Sequence, residues 1–122
     1  MSVAAILFGI LAAIHLLPAA AAIVPSQLSS LYGVSPDDTV LTTLLQHRAI
    51  LLGLVGAGFA AAAVFPDLRW AALIGGTISM VSFLLIAFAN GELMGSLQKI
   101  TLVDAAGLPI AAILFFILGK GA

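Results

Sequence analysis

The chain contains no cysteine, which excludes disulfides, thiolate metal ligation and thiol redox chemistry. Charge is almost as scarce. Asp, Glu, Lys and Arg together make up 7% of the residues, against about 25% in an ordinary soluble domain. The net charge is −1, so there is no basic footprint for nucleic acid and no polybasic stretch for anionic headgroups. No glycine-rich phosphate loop follows a strand pattern, and no nucleophile–base–acid set is apparent. These absences argue against an enzyme. Asp37 and Asp38 are adjacent carboxylates without a third ligand, which is poor metal chelation.

What is present is apolar. Of the 122 residues, 63% are hydrophobic, and the mean hydropathy is +1.30. A soluble domain of this size leaves much of its surface in water and could not hide so much apolar area. The solvent is therefore expected to be lipid, and residues 1–122 are read as a single transmembrane domain.

A spanning helix needs about 20 predominantly apolar residues. Four runs qualify, and they predict helices over residues 3–24, 36–65, 69–89 and 101–118. Barrel strands are shorter and alternate in hydrophobicity, so the fold class is all-α, an antiparallel bundle of four transmembrane helices. No Lys or Arg precedes the first run, whereas a signal peptide normally opens with a positive segment, so that run is read as a retained helix.

The connections carry local signals. Leu28, Leu31 and Tyr32 share one helical face, which suggests a short interfacial turn. Ser35-Pro36-Asp37-Asp38 reads as a helix start, with Ser as N-cap and the acids in the first turn. Phe65-Pro66-Asp67-Leu68-Arg69 is a tight turn that makes an antiparallel hairpin of the second and third helices. Asn90-Gly91 is expected to close the third helix. Leu93, Met94 and Leu97 in the loop that follows suit the membrane surface. Thr101 to Asp104 resembles a capping box for the fourth helix, with Asp in place of Glu.

Four spans put both termini on one side, together with Arg69 and Lys120. The opposite side has Arg48 and Lys99. With Arg48 drawn into the membrane, counting bases favours cytoplasmic termini. Small residues repeat at helical spacing at Ala5-Gly9-Ala13, at Gly53-Ala57-Ala61 with Gly56 and Ala60 beside it, and at Gly75-Ser79. Such stripes allow close backbone approach in lipid, either within the chain or between copies in a homo-oligomer or larger complex.

Ionisable groups inside a span are costly, so each is a functional hypothesis. Four occur: His15, His47, Arg48 and Asp104. Arg48 and Asp104 each sit near the start of an even-numbered helix, on the same side. They could neutralise one another, or line a polar site where Arg48 meets the anionic or carbonyl group of a lipophilic molecule. The plainer alternative has Arg48 snorkelling to headgroups and Asp104 acting as a cap. His15 lies near the midplane and needs a partner across the bundle, with Thr77, Ser79 and Ser82 as candidates. Haem or pigment ligation by His15 and His47, or a proton relay, is the alternative chemistry. Haem ligands on opposite faces need nearly equal depth, and His15 lies several ångströms deeper than His47. A small oligomeric transporter ranks behind these readings. It would call for a central acid or broken helices, and Pro18 and Pro109 give only kinks.

Leu31-Tyr32-Gly33, followed by Leu44-Leu45-Gln46-His47-Arg48-Ala49 and Gly53, resembles a group of small bacterial four-helix membrane proteins that are DoxX-like in plan. The resemblance rests mainly on Gln46-His47-Arg48 and implies a bacterial inner-membrane location without a known activity. It directs attention to Gln46, His47 and Arg48 as a unit. Some of that group carry the label phosphopantetheine adenylyltransferase. Such an enzyme needs a soluble nucleotide-binding sheet, for which these residues leave no room.

Overall fold

The computed structural model describes residues 2–22, 35, 37–91 and 98–121. The described residues form four α-helices: α1 (Val3–Ala22), α2 (Thr39–Val64), α3 (Arg69–Ala89) and α4 (Gln98–Gly121). Each contains a stretch long and apolar enough to cross a membrane. Many large apolar side chains point outward, among them Leu17, Val40, Leu54, Val64 and Phe88, a surface suited to lipid and not to water. The interfacial turn expected at Leu28, Leu31 and Tyr32, and the loop with Leu93, Met94 and Leu97, lie outside the described residues.

The helices touch as a closed ring: α1 with α2, α2 with α3, α3 with α4 and α4 with α1. All neighbours are antiparallel, as pairs of contacts show. Gly53 faces Ala19 while Gly56 faces His15 and Leu16. Trp70 meets Phe115 at 6.0 Å between ring centroids, while Met80 meets Gly107. α1 and α2 share the most extensive interface. Both α1 and α4 run unbroken through their prolines, Pro18 and Pro109.

Two helix starts differ from the sequence reading, and one helix end agrees with it. α2 begins at Thr39, and its cap is Asp38, whose Oδ1 accepts from the Leu41 N–H at 3.0 Å. The Ser35 hydroxyl oxygen instead accepts from the Asp37 N–H at 3.3 Å in the preceding turn. The carboxylate is the stronger acceptor and so takes the capping position. α4 begins at Gln98, earlier than the Thr101 start expected, so Thr101 and Asp104 are not a capping box. Both stand inside the helix and face inward. At the end of α3 the expectation holds: Gly91 adopts φ +71° and its N–H donates to the Phe88 carbonyl at 3.1 Å.

Between α2 and α3, residues Pro66–Leu68 make one 3-10 turn. The last carbonyls of a helix lack intrahelical donors. Here Arg69 supplies them, its Nε donating to Ala62 O at 2.8 Å and its Nη2 to Ala63 O at 3.3 Å. The same guanidinium lies 5.9 Å from the Phe8 ring centroid, so it ties the turn to α1 as well.

The small-residue stripes sort unevenly. On α1 the buried face is Ala4, Phe8, Leu11, Ala12, His15 and Ala19. Gly9 and Ala13 of the anticipated stripe point outward, and a methyl group added at Gly9 would meet nothing within 4 Å. On α2 the tight contact comes from Gly56, whose backbone approaches Leu16 and His15, whereas Gly53 makes only ordinary contact with Ala19 and Ala57 is exposed. On α3 it is Gly76, not Gly75, that is buried, because the Phe59 ring rests directly on its backbone. That ring also stands edge-on to His15, with centroids 5.1 Å apart, and lies 6.2 Å from Phe8.

Two outcomes follow from this packing. Gly76→Ala puts a methyl group into the Phe59 ring and should lower unfolding stability in detergent by about 1–3 kcal/mol, whereas Gly75→Ala, in open space, should be neutral. Arg69→Met keeps the length of the side chain but leaves the α2 carbonyls unmet. It should cost about 1–3 kcal/mol in the same denaturation measurement.

Candidate functional site

Arg48 lies two turns before Gly56, at the end of the bundle opposite the α2–α3 turn. It does not extend outward along its helix. Its guanidinium lies over the Phe83 ring of α3, 4.9 Å from the centroid, in the range of a cation–π contact. Together they border a cleft of about 270 Å³ between α2 and α3. Ser79 and Ser82 add hydroxyls to its lining, and Leu52 and Val55 form apolar wall. Leu51 and Ile86, which also line it, are 48% and 61% exposed, so the cleft opens sideways toward lipid. The Ser82 hydroxyl donates to Ser79 O at 3.1 Å, a back-bond to its own helix that leaves its oxygen as an acceptor.

Asp104 is only 6% exposed. It belongs to α4, which faces α2 across the ring and is not its neighbour. Arg48 and Asp104 therefore stand on helices that do not pack against one another.

His15 is 1% exposed and sits in the core between α1 and α2. Its Nδ1 is 2.9 Å from Leu11 O, one turn back on its own helix. Thr77, Ser79 and Ser82, the partners considered from sequence, are not bonded to it. The Thr77 hydroxyl itself has no hydrogen-bond partner. The local carbonyl was not among the candidates, although an i−4 bond of this kind is available to any polar side chain on a helix.

The structure separates the two histidines. Gly56 lies level with His15, and His47 precedes Gly56 by nine residues, or about 13 Å along the axis. His47 is also exposed, whereas His15 is enclosed. They are not placed to ligate opposite faces of one haem. Gln46, His47 and Arg48 diverge around the helix as consecutive residues must: Gln46 is half-buried, His47 exposed, and Arg48 lines the cleft. Among the described residues no group of three or more His, Cys, Asp or Glu converges on a point where a metal could bind.

Phe83 escaped the sequence reading, because an aromatic in an apolar run carries no signal of its own. Only its position opposite the Arg48 side chain marks it. An interaction between Arg48 and Asp104 can be tested directly. Arg48→Ala and Asp104→Asn should be non-additive in a double-mutant cycle of unfolding in detergent, with a coupling of about 0.5 kcal/mol or more. Additivity would mean that the charges act independently.

Compared with protein-family models, with curated proteins and with solved structures, this chain matches none of them.

Proposed function

We propose that this protein is a non-enzymatic membrane bundle that binds a lipophilic small molecule through an anionic or carbonyl group held at Arg48. One observation carries the reading. A guanidinium braced on an aromatic ring, with Ser79 and Ser82, forms the polar part of a mostly apolar cleft open to lipid. An amphiphile could enter from the bilayer, lay its apolar part along Leu52 and Val55, and present its polar group to Arg48 and the Ser79 and Ser82 oxygens. Binding sites of this type combine apolar walls with a few placed polar groups.

The companion reading is an accessory subunit of a larger membrane complex. The likeness of Gln46-His47-Arg48 to DoxX-like proteins supports a bacterial inner-membrane location on this reading. The bases Arg69 and Lys120 favour cytoplasmic termini.

The test uses two probes that differ only in the polar group, oleate and oleyl alcohol, titrated into the detergent-solubilised protein and followed by native mass spectrometry. Wild type should bind oleate more tightly. Arg48→Gln should weaken oleate by about tenfold or more, the equivalent of about 1.4 kcal/mol for a lost charge-assisted bond, and leave the alcohol nearly unchanged. Equal oleate binding by wild type and Arg48→Gln would overturn the assignment.

A further inference from the structure

The cleft at Arg48 does not use His15, and His15 has an unmet requirement. A neutral imidazole has one donor and one acceptor nitrogen. Its Nδ1 faces the Leu11 carbonyl, which can only accept, so Nδ1 carries the hydrogen. Nε2 is then a bare lone pair, buried and without a hydrogen-bond partner among the described residues. A stranded acceptor in an interior has lost its water without compensation, so the structure should supply a donor.

Helix register shows what stands opposite. α1 and α4 run antiparallel. Val3 and Ala4 share a cavity wall with Ile117 and Leu118 at one end. Further along, a Cβ built at Gly107 would lie 3.6 Å from Leu11 Cδ2. From that contact His15 is four residues onward and Asp104 three residues back. These steps are about 6 Å and about 4.5 Å in the same direction. His15 and Asp104 therefore lie at nearly one depth, both facing the interior. Thr101 is one turn beyond Asp104 on the same face. It is 9% exposed, and its Oγ1 also has no hydrogen-bond partner among the described residues.

The chemistry of this set is specific. Nε2 accepts, a carboxylate accepts, and the threonine hydroxyl can donate. Two acceptors cannot satisfy one another. A water molecule has two hydrogens to give and lone pairs to receive the hydroxyl, which matches the three groups one for one. We propose that His15, Asp104 and Thr101 enclose a bound-water site within the membrane interior, with water donating to Nε2 of His15 and to the Asp104 carboxylate and accepting from Thr101. This site is separate from the lipid-facing cleft and does not depend on what binds there.

Magic-angle-spinning NMR on the full chain in lipid bilayers tests it. Labelling with ¹⁵N-histidine in a His47→Gln background leaves His15 as the sole histidine signal. The expected spectrum shows a protonated Nδ1 and an unprotonated Nε2 that is shifted by an accepted hydrogen bond. Cross-peaks from water to the His15 ring protons should be present and should vanish in D2O. Thr101→Val, nearly the same shape, should reduce those cross-peaks by at least half while leaving the Nδ1 signal in place. A His15 ring with no water cross-peak, or an Nε2 bonded directly to a proton of the Asp104 carboxyl, would overturn the proposal.

Discussion

The Phe59 ring resting on Gly76 is the contact on which the rest of the bundle depends. In lipid, helices gain little from hiding apolar surface, because the surrounding chains are as apolar as leucine. Shape has to set the arrangement. A glycine lets the ring reach the backbone of α3, and the ring's other sides are taken by Phe8 and His15 of α1. One side chain thereby fixes three helices in depth relative to one another. The depth of His15 beside α2 and the reach of Arg48 to Phe83 both follow from that register. Arg69 reinforces it at the opposite end by bonding the last carbonyls of α2 while lying over Phe8.

How much of this could be read in advance depends on where lipid and core differ. The four spans were legible because charge is confined to a few places and the apolar runs are the right length. The α2–α3 hairpin and the Gly91 stop were legible because proline and glycine impose backbone conformations whatever surrounds them. The facing of each helix was not. A soluble helix shows its core side as an apolar stripe, but here both sides are apolar and the amphipathic contrast of α2 almost vanishes. Ala5-Gly9-Ala13 looks like an interface by spacing, yet the helix turns Phe8, Leu11 and Ala12 inward in its place. The inward face is set by fit across the bundle, where Phe59 takes the space that Gly76 leaves and lies against Phe8.

The polar residues were legible one at a time, because each is expensive in a span. Their company was not. Arg48 and Asp104 were associated from sequence by depth alone, and they prove to sit on helices across the ring from each other. His15 was expected to look toward α3, and it bonds instead to its own helix. Thr101 and Asp104 read as a cap until the start of α4 three residues earlier moved both into the interior. A cap and a buried pair have the same spacing, and only the location of the helix start tells them apart.

The contact between Arg48 and Phe83 has a consequence for molecular recognition. A free arginine side chain carries about 2 kcal/mol of rotamer entropy, and a binding partner must ordinarily freeze it. Here the guanidinium is already held against a ring at the wall of the cleft. An incoming group meets a charge that is oriented in advance. Less of the interaction energy is then lost to ordering, and a modest cleft can discriminate by the polar group of its occupant and not by its bulk.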